Sequence, residues 1–287
     1  MLPLSIATSC QEIIKESITA ARPVAGGDIN KAYRLETAGG SYFIKTNAAP
    51  LARQMFEAEA KGLAALSSPC ILRTPAVLGF GSTSEGSYLL LDFIETGYRP
   101  DGFWEEFGAS LAKLHRSSSS SFGFDHDNFI GSLPQRNHRH DDWPNFYTEE
   151  RLLPQLAIAK QLGLLQSRDF QRFDLLFKKL PDRCPKEPPA LTHGDLWSGN
   201  FLCDAQGLPV LIDPAASYSH REMDLAMSRL FGGFERPFYR SYEEEWPLEQ
   251  GFEQRLPVYQ LYFLLVHVNL FGGSYVRQVR EVLAGLT

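Results

Sequence analysis

Asp195, Asn200 and Asp213 are the residues whose types and spacing carry the most chemistry in this chain. The first two lie in His193-Gly194-Asp195-Leu196-Trp197-Ser198-Gly199-Asn200, and the third closes the apolar run Pro209-Val210-Leu211-Ile212. A carboxylate, a carboxamide five residues on and a second carboxylate thirteen further on are what phosphoryl transfer asks of a protein. One group orients the attacking hydroxyl and accepts its proton, and two hard oxygen ligands hold the Mg2+ that bridges nucleotide phosphates. Asp195 is the candidate base, and Asn200 and Asp213 are the candidate metal ligands.

A nucleotide also needs a cation against its α and β phosphates, and Lys45 sits on a predicted strand suited to that task. Glu59 is preferred to Glu57 as its carboxylate partner. Glu59 lies three residues after Phe56 and four before Leu63, on their inward stripe, whereas Glu57 points about 100° from Phe56 on helical geometry. Gly26 and Gly27 form a turn whose backbone amides suit phosphate oxygens. No GxxxxGK[ST] loop or complete GxGxxG accompanies them. Asp92, Phe93 and Ile94 end a strand at the lobe junction, where their backbone groups would face adenine. Trp197 is either buried core or a wall of the acceptor pocket, since an indole face stacks on sugars and on cations. His193 and His115 are read as structural hydrogen-bonding residues.

These residues need a frame. Ser9 and Glu12 have capping-box spacing ahead of Ile13, Ile14 and Ile18, which predicts an opening amphipathic helix. Strands are predicted at 22–25, 32–36, 41–46, 75–81 and 87–94, with a helix over 51–66 between the third and fourth. That makes a small antiparallel β-rich lobe with one main helix, residues 1–94. Residues 95–287 read as a mostly helical lobe, with helices from Phe103 to His115 and over 145–164, 169–180 and 252–286. The Ser117 to Ser121 run reads as a flexible surface loop, and 184–189 as a Pro-rich one.

At 287 residues with 44% hydrophobic content, the chain suits two lobes. A formal net charge of −6 argues against a nucleic-acid partner, which would need a basic face. Cys10, Cys70, Cys184 and Cys203 show no paired spacing, so neither a metal knuckle nor a disulfide scaffold is expected, and a cytoplasmic location fits. The start lacks signal-peptide character, and the apolar segment 261–271 is too short to span a bilayer.

With these residues assembled, the chain resembles the fructosamine kinase (ketosamine-3-kinase) family, relatives of aminoglycoside and choline kinases within the protein-kinase-like fold. The resemblance runs over nearly the whole chain. Besides the 193–200 motif it includes Arg53-Gln54-Met55-Phe56-Glu57, Gly131-Ser132-Leu133-Pro134-Gln135 with Trp143, His220-Arg221-Glu222-Met223-Asp224-Leu225-Ala226 and Leu230-Phe231-Gly232-Gly233-Phe234. Pro214, where a protein kinase would have Phe-Gly, points to the small-molecule branch.

The resemblance implies an α+β, two-lobed fold and ATP-dependent, Mg2+-assisted phosphorylation of the C3 hydroxyl of a ketosamine, free or on protein lysines, leading to deglycation. Some family members carry a cysteine in the glycine-rich turn that crosslinks two chains. Here the turn reads Gly26-Gly27-Asp28, so a monomer or weak dimer without that disulfide is expected. The competing readings are a kinase for another small hydroxyl compound and a nucleotide-binding pseudokinase scaffold.

Overall fold

The computed structural model describes residues 1–24 and 29–286. They fall into two compact units, Met1–Phe103 with Phe201–Pro214 and Trp104–Asn200 with Ala215–Thr287. The first unit thus runs past residue 94 and includes a short later segment.

Five antiparallel strands form the sheet of the first unit: β1 (Ala20–Val24), β2 (Lys31–Glu36), β3 (Ser41–Asn47), β4 (Val77–Thr83) and β5 (Gly86–Asp92). Their spatial order is β1-β2-β3-β5-β4. Alternation along the strands gives the sheet two apolar faces. Tyr33, Leu35, Ile44, Tyr88 and Leu90 pack on Ile6 and Cys10 of α1 (Leu4–Ile14). Leu89 and Leu91 pack on Ala52, Phe56, Ala60 and Leu63 of α2 (Ala52–Ser67).

Helix α1 starts earlier than the capping-box spacing suggests. Pro3 is its N-cap, without a side-chain cap bond, and Ser9 and Glu12 lie inside the helix. Burial of Ile6 and Cys10, one turn apart, outweighs the local cap signal.

A hairpin of Phe201–Cys203 and Pro209–Leu211 joins this unit. Leu211 N–H donates to the Arg73 carbonyl at 2.9 Å, and Gly97 N–H to the Cys203 carbonyl at 3.0 Å. Asp204 shapes its turn by accepting from the N–H groups of Gln206 and Leu208, while its other oxygen meets Arg73 at 3.2 Å.

The second unit is mostly helical: α3 (Phe103–His115), α4 (Trp143–Phe146), α5 (Leu153–Gln161), α6 (Ser167–Arg183), α7 (Glu222–Leu230), α8 (Arg236–Glu245), α9 (Phe252–Phe271) and α10 (Ser274–Leu286). Helix α9 is buried around most of its circumference, as an interior helix must be to satisfy an apolar sequence. Short strands Ala190–Thr192 and Ser217–Ser219 pair antiparallel on either side of the 193–200 motif in sequence.

Several details depart from the sequence reading. The helix expected over 145–164 begins at Trp143 and passes through a π-helical turn, Tyr147–Leu152. Pro154 has no N–H to give the Glu150 carbonyl, which instead accepts from Arg151 at 3.2 Å. The helix expected over 252–286 is two helices, because Gly272 and Gly273 take φ values of +61° and +57°. Helices α7 and α8 were not anticipated. The 117–121 serine run is held in place: Ser117 O accepts from Leu191 N–H at 2.9 Å, and Ser118 Oγ donates to Pro189 O at 2.7 Å.

Candidate active site

In the first unit the pleat decides where Lys45 goes. It pairs in register with Leu89, whose side chain lies on the α2 face of the sheet. There its Nζ donates to Glu59 Oε1 at 2.7 Å and to Asp213 Oδ1 at 2.5 Å. Glu57 is turned outward and pairs with Lys61 one helical turn away. Burial works against the charge on Lys45, yet Glu59 and Asp213 outweigh it and hold the ammonium above its ordinary value. Burial pushes the Glu59 carboxyl up to about 7, with Lys45 opposing and Asp213 adding to the rise. Asp213 follows the hairpin with φ +55°, a left-handed backbone tolerated by Asp and typical of functional positions.

The expected adenine-facing residues divide. Asp92 is an anchor of its strand: its N–H donates to Ala76 O at 3.0 Å, Oδ1 accepts from Ala76 N–H at 2.6 Å, and Oδ2 lies 3.3 Å from Arg73. Its N–H is therefore committed within the first unit. Phe93 carries the Arg34 guanidinium over its ring at 4.3 Å, and Ile94 is buried. Gly26 and Gly27 lie outside the described residues.

In the second unit the 193–200 turn is held from its backbone. Asp224, fully buried on α7, accepts from the N–H groups of His193 (2.7 Å) and Gly194 (2.8 Å). The same carboxylate lies 3.1 Å from His115 Nε2, and His115 Nδ1 lies 2.7 Å from the Tyr242 hydroxyl. Burial opposes ionisation of Asp224, but the bonds from His115 and from the Gly194 N–H hold its carboxyl below the ordinary range. Gly194 has φ +83°, and a Cβ there would sit 2.1 Å from the Ala215 carbonyl oxygen, so the turn requires glycine. Asp224 entered the sequence reading only as part of a motif. Its signal was an acid in a helix otherwise rich in apolar residues.

Asn200 Nδ2 donates to the Asp195 carbonyl at 2.8 Å and to Asp195 Oδ2 at 3.0 Å. Its Oδ1 makes no hydrogen bond among the described residues, and neither does Asp213 Oδ2. Each is a hard oxygen of the kind Mg2+ takes as a ligand. Trp197 is 40% exposed and its ring lies against Gly199, where a Cβ would stand 2.3 Å from it. The buried-core alternative for Trp197 is therefore excluded. His193 is fully buried, and its Nδ1 accepts from Asp195 N–H at 3.3 Å. A separate cavity of about 420 Å³, lined by Arg229, Tyr239, Glu243 and Phe252, contains none of the predicted residues.

The fructosamine kinase family profile matches residues 3–287. The chain belongs to the fructosamine kinase family. It is 44% identical to a probable ketoamine kinase of Enterococcus faecium, over 91% of this chain and 93% of that one. It is 40% identical to the chloroplastic protein-ribulosamine 3-kinase of Arabidopsis thaliana, covering 90% and 79%. A Thermobifida fusca chain of known crystal structure, itself a candidate fructosamine-3-kinase, superposes with a TM-score of 0.87 at 35% identity and covers 98% and 99%. An aminoglycoside phosphotransferase at 17% identity and a TM-score of 0.62 shows the shared protein-kinase-like fold alone. Fructosamine kinase family members are thus the nearer likeness, and the α+β kinase-like fold expected from the sequence is present. No helix among the described residues is long and apolar enough to cross a membrane.

Proposed function

We propose that this chain transfers the γ-phosphoryl group of ATP to the C3 hydroxyl of a ketosamine, a fructosamine or ribulosamine on a free amine or a protein lysine. The observation that carries the reading is the 193–200 turn, where a backbone pinned by Asp224 carries Asp195 two residues before an exposed indole. Asp195 would accept the hydroxyl proton and aim the oxygen at phosphorus. Lys45, held by Glu59, would pair with the α and β phosphates, and backbone groups of Asp92, Phe93 and Ile94 and amides of Gly26 and Gly27 would meet the rest of the nucleotide. Asn200 and Asp213 would hold Mg2+, which when bound offsets charge on the transferring phosphates. Trp197 would stack on the apolar face of the sugar and attract the ketosamine ammonium.

The product would then undo itself. A phosphate at C3 lies beside the C2 carbonyl, so formation of the C1–C2 enaminol expels inorganic phosphate as the C3–O bond breaks. Water then hydrolyses the resulting imine and frees the amine, which is deglycation. A reducing compartment such as the cytoplasm suits the four unpaired-spacing cysteines. A small-molecule or protein-bound ketosamine is the expected partner, with no nucleic acid and no membrane.

An ATP-consumption screen with fructosyl-lysine, ribulosyl-lysine, choline and an aminoglycoside tests the reading, with phosphorus NMR locating the ester. Turnover of a ketosamine with phosphate at C3 is expected. Failure of both ketosamines beside turnover of another alcohol would transfer the assignment to that acceptor.

A further inference from the structure

Asn128, Gln135, Asn137, Arg151 and Tyr262 are polar side chains exposed by no more than 4%, clustered in the second unit. Burying polar groups is costly unless they are bonded. Here the bonds lead to one backbone segment. Gln135 Nε2 donates to the Ala215 carbonyl at 3.1 Å, Asn128 Nδ2 to the Ala216 carbonyl at 2.8 Å, and an Arg151 N–H to Ser217 Oγ at 3.1 Å. The cluster is also bonded within itself, through Gln135 Nε2 and Asn137 Nδ2 to Asn128 Oδ1 at 2.8 and 2.9 Å.

That segment is attached to the turn that carries Asp195. Ala215 N–H donates to the His193 carbonyl at 2.9 Å, and the Ala215 carbonyl fills the space a side chain on Gly194 would need. Ser217–Ser219 pairs with Ala190–Thr192, the strand that leads into the turn. In sequence Ala215 is also two residues after Asp213.

Tyr262 sets the orientation of the amide. Its hydroxyl donates to Gln135 Oε1 at 2.5 Å. Burial keeps this phenol protonated, with Arg151 opposing and Asp195 adding to the effect. With Tyr262 fixed as the donor, Gln135 must present Oε1 to it, which turns Nε2 toward Ala215 and Asn128.

We infer that Gln135 and Tyr262 are positioning residues for phosphoryl transfer, acting through Ala215 on the turn that carries Asp195. The inference rests on the function proposed above.

Gln135→Met keeps the length and removes the amide, and Tyr262→Phe removes only the hydroxyl. Expected for Tyr262→Phe is a fall in kcat of about fivefold, the size of one hydrogen bond. For Gln135→Met the fall should exceed about twentyfold, since two or three bonds go together. The double variant should match Gln135→Met, because the hydroxyl acts through the amide. KM for ATP stays within about twofold of the parent, and more ATP is hydrolysed per acceptor phosphorylated, as expected when only the reacting geometry loosens.

Hydrogen exchange gives a readout independent of any substrate: residues 193–200 should exchange faster in both variants while α9 does not. Unchanged kcat and exchange would overturn the inference, as would a loss of kcat that disappears once corrected for the folded fraction. If the unaltered protein turns over no ketosamine, the proposed substrate fails, while exchange over 193–200 still decides whether Gln135 and Tyr262 hold the turn.

Discussion

Glu59 is the residue whose ionisation matters most in the first unit, because it shares Lys45 with Asp213. Its carboxyl, pushed up to about 7 mainly by burial, lies above its value of 4.5 in an unfolded chain. Folding therefore takes up a proton between these two values. The stability this group contributes is fully present below the lower value and is lost as pH rises toward about 7. Thermal melts from pH 5 to pH 8 should show the parent losing ground to Glu59→Gln over that window, and a constant gap would contradict the assignment. Nucleotide affinity should run the other way, since only ionised Glu59 holds Lys45 by charge. KM for ATP is expected to fall as pH rises through about 7 in the parent. In Glu59→Gln it should be raised about tenfold and lack that pH dependence, consistent with loss of one charge-assisted hydrogen bond. The choice of Glu59 over Glu57 was legible from helical periodicity alone. The face of Lys45 was not, because Tyr42, Phe43 and Ile44 are apolar on both sides of the pleat and only packing against two helices separates them.

Elements were legible where apolar residues recur at strand or helical spacing. Strands β2 to β5 and helix α2 carry such residues into the packed unit, whereas β1 is largely exposed. Helix α8 was missed because its sequence, Arg236-Pro237-Phe238-Tyr239-Arg240-Ser241-Tyr242-Glu243-Glu244-Glu245, is largely polar and buries only Phe238 and Tyr242. Those two side chains nonetheless fix its docking on α3. Phe238 packs edge-on against Phe107 at 5.2 Å, and the Phe238 carbonyl lies 2.1 Å from where a Cβ on Gly108 would stand. Gly108→Ala must push the two helices apart and disturb Tyr242, which holds His115. Overpacking of this kind costs about 1–3 kcal/mol. Chemical denaturation should register the loss as a lower midpoint. An unchanged midpoint in Gly108→Ala would show that the helices are not held at this approach.

At the scale of the molecule, the candidate residues are shared between units that sequence order does not separate. Lys45, Glu59 and Asp213 belong to the first, and Asp195, Asn200 and Trp197 to the second. A cut at residue 94 assigns Asp213 by chain position, whereas the hairpin ahead of it is bonded to Arg73 and Gly97 of the first unit. Long-range pairing of that kind leaves no local pattern to read. The division has a functional consequence. Residues that hold the nucleotide should govern stabilisation by ligand, and the base should govern turnover alone. A ligand at one hundred times its Kd stabilises the folded state by about 2.7 kcal/mol. Saturating Mg2+ with a non-hydrolysable ATP analogue should therefore raise Tm in the parent and by nearly the same amount in Asp195→Asn, although kcat there falls by about 10²–10⁴. In Lys45→Met the shift should be largely lost. Loss of the shift in Asp195→Asn would make Asp195 a nucleotide ligand, and undiminished turnover in that variant would remove it as the base.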